Sequence, residues 1–106
     1  MRSTFFLFVL LGFLFCSYSK PNLRISKSIS TVVIDAGHGG HDSGCLGKKS
    51  QEKHIALNIA LLLGKNIEKT FKNIKVIYTR KTDVFVPLHK RAEIANKNNA
   101  DLFISI

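Results

Sequence analysis

The chain has 106 residues, of which 45% are hydrophobic, and its formal net charge is +9. A chain of this length holds at most one ordinary domain. Residues 1–30 contain four basic residues and no acidic ones, so residues 31–106 carry twelve basic and seven acidic residues, a formal charge of +5. A basic surface favours polyanions, but the basic and aromatic residues are not interleaved as in nucleic-acid-binding segments. We therefore predict no nucleic-acid partner, and expect an anionic extracellular polymer or envelope surface instead.

Residues 1–19 have the features of a secretory signal peptide. Arg2 supplies a short basic start, and Phe5–Cys16 is an almost unbroken apolar run. This run is shorter than the roughly 20 apolar residues of a membrane span, and small residues near position 19 favour cleavage there. Two alternatives stay open, which are lipid attachment at Cys16 and an uncleaved membrane anchor. We predict export to the periplasm or the extracellular cell envelope, with contact to the membrane only through this leader.

After the leader, residues 20–30 are polar and are predicted to be a linker. Residues 31–34 are a β-branched run without polar alternation, which predicts a strand with both faces buried, as in a parallel sheet covered by helices. Residues 35–50 contain five glycines and are predicted to be a loop.

A long amphipathic helix is predicted to follow this loop and to end at about Thr70. Ser50 is the expected N-cap, and the acidic Glu52 lies in the first turn, where the helix dipole favours negative charge. The apolar residues follow helical spacing over a wide stripe, so we expect the helix to be largely buried; they are Ile55, Ala56, Ile59, Ala60, Leu61, Leu62, Leu63 and Ile67.

The remaining residues predict two further strands and one further helix. Residues 74–79 and 102–106 are apolar strands, and Pro87 suits the first turn of a helix that ends at about Asn98. Between them we expect a polar turn at residues 80–83 and a short extended piece at residues 84–86. The order β-α-β-α-β predicts an α/β fold with a parallel or mixed sheet and helices packed on it. Because the sequence stops inside the last strand, we expect a domain that is incomplete at its C-terminus.

His38 and Glu52 are the candidate metal ligands. His38 lies on the loop that leaves the carboxyl end of the first strand, where α/β proteins gather ligands, and Glu52 opens the helix that starts at the same edge of the sheet. Zinc accepts imidazole and carboxylate ligands, and a catalytic zinc keeps one position for water. The alternative is that Asp35 and His38 only form hydrogen bonds within the loop, and that Glu52 is only a helix-start charge.

Other chemistries fit the loop less well. A dinucleotide or P-loop phosphate motif would require glycine at position 42, which is Asp42. His38 and His41 would point together only on a helix, which the glycines disfavour. Cys45 is the sole cysteine outside the leader, so no disulfide is expected, and it remains a minor candidate as ligand or nucleophile. His54 and His89 are expected to be surface residues.

The run Val32-Val-Ile-Asp-Ala-Gly-His-Gly-Gly-His-Asp-Ser-Gly44 closely resembles the opening of the zinc-dependent N-acetylmuramoyl-L-alanine amidases, the amidase-3 type of cell-wall hydrolase. Four further segments match this family in the same order, so the resemblance covers residues 31–106. These segments are Glu52-Lys53, Val76-Ile-Tyr-Thr-Arg80 with Thr82-Asp83, Pro87-Leu88 with Arg91 and Ile94-Ala-Asn96, and Ala100-Asp-Leu-Phe-Ile-Ser-Ile106.

The resemblance implies that residues 31–106 are the N-terminal part of a zinc amidase catalytic domain, with Zn²⁺ bound by His38 and Glu52. The implied substrate is peptidoglycan, cleaved at the amide between N-acetylmuramic acid and L-alanine by zinc-activated water. In this family the third ligand, a histidine, directly follows the position of Ile106, and the catalytic glutamate lies further on. We therefore expect residues 1–106 alone to contain no catalytic residue, to bind zinc weakly and to be inactive. Ser43 and Cys45 depart from the family pattern without touching the ligands.

Two other functions remain open from the sequence. One is a non-catalytic remnant or cell-wall-binding fragment. The other is a different exported zinc hydrolase, such as a deacetylase, which the further matching segments do not support. The sequence gives no indication of the oligomeric state.

Overall fold

The computed structural model describes residues 28–106, in which three strands alternate with two helices. The predicted signal peptide, its alternatives and most of the predicted linker lie outside these residues. The elements are β1 (Thr31–Asp35), α1 (Glu52–Thr70), β2 (Lys75–Tyr78), α2 (Leu88–Lys97) and β3 (Leu102–Ser105). This confirms the predicted α/β fold and the β-α-β-α-β order.

The three strands form one parallel sheet in the order β2-β1-β3. The first strand of the chain is therefore the central one, and Val33 pairs with Ile77 on one side and Phe103 on the other. Parallel neighbours require crossover connections, and here each crossover contains one helix. Val32, Val33 and Ile34 are at most 2% exposed, which confirms that both faces of β1 are buried.

Helix α1 packs on the sheet face that carries Val32, Ile34 and Ala36. Its buried residues are Ala56, Ala60 and Gly64, whose small side chains allow a close approach to the sheet. A Cβ atom at Gly64 would overlap the Tyr78 hydroxyl, so this position requires glycine for packing.

The prediction that α1 is largely buried was wrong. Ile55, Ile59 and Leu62 lie on its outer side and are 46–62% exposed. Only one side of a helix that packs on a sheet can contact the strands. The apolar stripe of this helix is wider than that contact surface. The excess apolar residues therefore face away from the sheet.

Helix α2 covers the opposite face of the sheet. Its buried residues are Arg91 and Ala95, and Arg91 binds Asp35, whose side chain points away from the face that holds Ile34 because side chains alternate along a strand. Leu88, the first residue of this helix, is 85% exposed.

The start of α1 differs from the predicted Ser50 cap. Gln51 is the N-cap residue, and its side chain makes no capping hydrogen bond. Instead, the N–H groups of Glu52 and Lys53 donate to backbone carbonyls of the preceding loop, at Cys45 (3.0 Å) and Ser43 (3.1 Å). The loop satisfies the free N–H groups of the helix end and is thereby fixed against the helix.

Residues 84–86, predicted to be extended, belong to no strand. Ser30, at the end of the predicted linker, already contacts the domain, since its N–H and hydroxyl both donate to the Asp101 carboxylate. Neither helix in residues 28–106 combines the length and the apolar character that a membrane span requires.

Candidate metal centre

The structure brings the two predicted ligands together at the carboxyl end of β1. The β1–α1 loop (residues 36–51) carries His38, and α1 begins with Glu52 at the same edge of the sheet. The distance between His38 Nε2 and Glu52 Oε2 is 3.3 Å, and the two side chains are 32% and 45% exposed. The pair is therefore formed within the fold and remains reachable from solvent.

The separation of these two atoms fits one zinc ion. Zinc–nitrogen and zinc–oxygen bonds of 2.0–2.2 Å at a tetrahedral angle place two ligand atoms about 3.3 Å apart. A neutral imidazole nitrogen and a carboxylate oxygen are also the correct kinds of donor. In residues 28–106, no third histidine, cysteine, aspartate or glutamate joins them in a metal-binding cluster.

Asp42 orients the His38 ring. Its Oδ2 atom lies 2.9 Å from His38 Nδ1, while its Oδ1 atom accepts the N–H of Gly44 at 3.0 Å. A carboxylate can only accept, so it favours a proton on Nδ1 and leaves Nε2 free to face Glu52. The hydrogen bond between His38 and the Asp42 carboxylate raises the pKa of His38 and lowers the pKa of Asp42.

Glu52 is oriented by the loop as well. Its Oε2 atom accepts the backbone N–H of Cys45 at 2.8 Å, and this bond is the main reason that the pKa of Glu52 is lowered. The loop thus favours the charged carboxylate, which is the form that a metal ion would require. The same carboxylate raises the pKa of the exposed Cys45 thiol, which argues against Cys45 as a nucleophile or ligand, because both roles need the thiolate.

Gly44 provides the space in which the side chains of His38 and Glu52 meet. A Cβ atom at this position would lie 2.6 Å from Glu52 Oε2 and 2.7 Å from His38 Cδ2, and its φ is +62°. Glycine is required here for both conformation and space. This observation gives the glycine-rich loop a definite role, which is to make room for the ligand pair.

Asp35, the last residue of β1, links the ends of all three strands to α2. Its Oδ1 atom accepts the hydroxyl of Thr79 and the guanidinium of Arg91, both at 2.7 Å. Its Oδ2 atom accepts the hydroxyl of Ser105 at 3.1 Å. Asp35 is buried, so its charge is balanced by the buried Arg91 rather than by water.

Two buried arginines hold the first residues of the β1–α1 loop. Arg80 was predicted to lie in a polar turn but is 3% exposed, and Arg91 is 5% exposed. Arg80 donates to the carbonyls of Ala36 and Gly37, and Arg91 donates to the carbonyls of Ala36 and His38. Burial and the neighbouring Arg91 lower the pKa of Arg80.

A salt bridge fastens the middle of the loop. Lys53 Nζ donates to the Gly40 carbonyl (2.8 Å) and to Asp83 (2.7 Å), and Asp83 accepts the Gly40 N–H at 2.8 Å. The hydrogen bond from Lys53 is the main cause of the lowered pKa of Asp83. Both backbone polar groups of Gly40 are therefore paired, with Lys53 of α1 and with Asp83 of the β2–α2 connection.

A cavity of about 420 Å³ opens beside His38. Its lining combines apolar residues, which include Phe85, Val86 and Leu88, with polar residues, which include Asp42 and Arg91. A larger cavity of about 650 Å³ lies between the second half of the loop and α1, but neither His38 nor Glu52 lines it. Of these two cavities, only the smaller one is lined by His38.

The other histidines lie away from the pair. His41 packs on Phe85, with ring centroids 4.1 Å apart, and does not face Glu52. His54 and His89 are exposed, as predicted.

The supporting role of Asp42, Arg80 and Arg91 was not predicted. One signal was present for Arg91: it lies four residues before the apolar Ala95, so a helix places both on one face, and a charged residue on a buried face needs a partner. For Asp42 and Arg80, the spacing of the sequence alone gave no comparable signal, because their partners depend on how the loop folds back.

Comparison with known proteins supports the family resemblance. The family described as N-acetylmuramoyl-L-alanine amidase matches residues 32–106. The N-acetylmuramoyl-L-alanine amidase AmiA of Escherichia coli K12 is 46% identical over 92 residues, which is 84% of this chain and 30% of the relative. A sporulation-specific N-acetylmuramoyl-L-alanine amidase of Bacillus subtilis is 39% identical over 75 residues, 71% of this chain and 29% of the relative.

Solved structures agree in fold. The catalytic domain of CwlV, an amidase from Bacillus (Paenibacillus) polymyxa, superposes with a TM-score of 0.69 at 38% identity, covering 73% of this chain and 44% of that domain. AmiC2 of Nostoc punctiforme gives a TM-score of 0.66 at 41% identity, covering 71% of this chain and 41% of that one.

The chain thus spans about 30% of the length of the curated relatives described above and less than half of the related structures. Within that span, the family match includes all of the sheet except Thr31, and both predicted ligands. The chain belongs to the N-acetylmuramoyl-L-alanine amidase family.

Proposed function

We propose that the protein is a zinc-dependent peptidoglycan hydrolase that cleaves the amide bond between N-acetylmuramic acid and L-alanine, with His38 and Glu52 as two of the metal ligands. The observation that carries this proposal is the 3.3 Å approach of His38 Nε2 to Glu52 Oε2. The substrate is inferred from the names of the relatives, which are N-acetylmuramoyl-L-alanine amidases.

Each residue near the pair has a defined task in this proposal. Asp42 keeps the proton of His38 on Nδ1, so that Nε2 can bind the metal. The N–H of Cys45 holds the Glu52 carboxylate in position. When bound, zinc would polarise the amide carbonyl and make water more acidic, which gives a nucleophile near neutral pH.

The cavity beside His38 is the proposed location of the substrate. Its apolar lining residues, Phe85, Val86 and Leu88, can contact the uncharged parts of a muramoyl peptide, and His38, one of the proposed metal ligands, lines the same cavity. Pockets with an apolar lining and a few placed polar groups are typical of such sites.

We also propose that the protein acts in the periplasm or the extracellular cell envelope. Peptidoglycan lies outside the cytoplasmic membrane, and residues 1–19 have the pattern of a secretory signal peptide. Residues 20–30 would then be a linker between this leader and the domain formed by residues 31–106.

The test compares variants of the protein at its natural full length. Wild type, His38→Ala, Glu52→Gln and the control His54→Ala would be incubated with purified peptidoglycan, and newly exposed α-amino groups of L-alanine would be quantified. We expect zinc-dependent release from wild type and His54→Ala, and a loss of at least 100-fold in the other two. His54 is a matched control because it is an exposed histidine of helix α1, which begins with Glu52.

The alternative is a non-catalytic remnant that still contacts the cell wall. It would be favoured by peptidoglycan binding in a sedimentation assay without any release of amino groups from wild type. Activity that persists in His38→Ala with a chelator present would contradict the zinc site.

A further inference from the structure

We propose that Arg80 and Arg91 are positioning residues of the metal centre, which fix the backbone of residues 36–38 so that His38 faces Glu52 before any metal binds. This inference deepens the proposed function and rests on it. Neither guanidinium touches the proposed ligand atoms; both act through the backbone beside them.

Arg80 connects the two halves of the centre. Its Nη2 atom donates to the carbonyl of Gly37 at 2.6 Å and to the carbonyl of Lys53 at 2.8 Å. Gly37 is the residue before His38, and Lys53 is the residue after Glu52. One nitrogen therefore fixes the distance between the two backbone segments that carry the ligands.

Arg91 fixes the backbone of His38 itself. Its Nη2 atom donates to the His38 carbonyl at 2.9 Å, and its Nη1 atom donates to the Ala36 carbonyl at 2.7 Å. His38 has a φ of +58°, a conformation that residues other than glycine rarely adopt. Such a conformation persists where its surroundings determine it, and the Arg91 fork is one of the groups that do so.

The burial of both arginines favours this role over simple packing. They are 3% and 5% exposed, and Arg91 is paired with the buried Asp35, while Arg80 directs its hydrogen bonds to four backbone carbonyls. Replacing a buried ion pair by apolar residues of similar volume is often neutral or stabilising, so packing alone does not explain why arginines occupy these two buried positions. A planar guanidinium offers five donors in a fixed arrangement, which a lysine cannot reproduce.

The test uses the protein at its natural full length with Arg80→Lys, Arg91→Lys and the control Thr79→Val. Thr79 donates to Asp35 at 2.7 Å, so Thr79→Val removes a buried hydrogen bond of the same region without touching the carbonyls of residues 36–38. Zinc affinity would be measured by competition with a chromophoric chelator, well below the unfolding temperature of each variant. The absorption spectrum of the Co²⁺-substituted protein would report the coordination geometry.

We expect at least tenfold weaker zinc binding and an altered Co²⁺ spectrum in both lysine variants, in line with the effect of groups that orient metal ligands. Thr79→Val should lower the unfolding temperature but keep zinc affinity within twofold of wild type. Folded lysine variants with wild-type affinity would overturn the proposal, and so would an equal loss of affinity in Thr79→Val.

A measurement on wild type decides the matter if a lysine variant does not fold. In the metal-free protein, the backbone of residues 36–38 should already be as ordered, in NMR relaxation measurements, as in the zinc-bound form; a loop that orders only on zinc addition would refute the pre-organisation. If wild type binds no zinc, the proposed function fails, whereas the order of the metal-free loop still tests the role of the arginines.

Discussion

Replacing Gly44 by alanine should weaken metal binding without abolishing the fold. Gly44 lies where the side chains of His38 and Glu52 meet, and its φ of +62° is unfavourable for residues with a Cβ atom. The substitution adds one methyl group between the two proposed ligands and changes no charge, so its effect reports on space and backbone conformation alone.

The expected magnitude follows from two terms. The left-handed conformation costs an alanine about 1–2 kcal/mol of folding free energy. The new methyl would lie 2.6 Å from Glu52 Oε2 and 2.7 Å from His38 Cδ2, whereas favourable carbon contacts lie at about 3.5–4.0 Å. Relief requires a movement of roughly 1 Å, which exceeds the ~0.5 Å tolerance of a functional site. We therefore expect zinc affinity to fall at least tenfold, equivalent to about 1.4 kcal/mol.

The assay is chelator competition for zinc on the natural full-length protein, together with urea unfolding of the metal-free form. Gly47→Ala is the matched control, because Gly47 lies in the same loop and the nearest atom to an added Cβ is the Ser50 hydroxyl at 2.8 Å, the end of a small exposed side chain. Gly47→Ala should bind zinc within twofold of wild type. Zinc affinity of Gly44→Ala equal to that of Gly47→Ala would refute the assignment of His38 and Glu52 as a ligand pair.

Three further outcomes follow from the structure. In the metal-free protein, Asp42→Asn should lower the pKa of His38 measured by NMR titration, since the Asp42 hydrogen bond is the main cause of its rise; an unchanged or higher value would contradict the orienting role. Asp35→Ala leaves Arg91 buried without its carboxylate and should reduce the free energy of unfolding by about 3–5 kcal/mol in chemical denaturation, whereas a loss below 1 kcal/mol would show that the pair is unimportant. Glu93, paired with two lysines of α2, has its pKa lowered from 4.5 to about 2. A carboxyl pKa that is lowered in the folded state stabilises the fold at pH values above the ordinary pKa, and this contribution is lost as the pH falls from about 4.5 through 2. Glu93→Gln should therefore flatten the acid limb of the stability curve in that window, and an unaltered limb would exclude the linkage.

The elements of the fold were predictable because each has a strong local pattern. The β-branched run at residues 31–34 has no polar alternation, which indicated a strand buried on both faces, and β1 is buried on both faces. The predictions were wrong where tertiary contacts, rather than the local sequence pattern, determine burial and helix capping. Helix α1 has a wider apolar stripe than a sheet can cover, and its start is capped by loop carbonyls rather than by Ser50.

The candidate ligands could be proposed from the sequence because strand order and helix start place them at one edge of a parallel sheet. The sequence by itself thus determined the fold class, the burial of both faces of the first strand and the identity of His38 and Glu52 as candidates. Their 3.3 Å approach, the orientation of His38 by Asp42 and the hold of Arg80 and Arg91 on the loop were decided only in three dimensions. These contacts join residues up to 53 positions apart, and they depend on how the loop folds back over the end of β1, which local propensity does not encode.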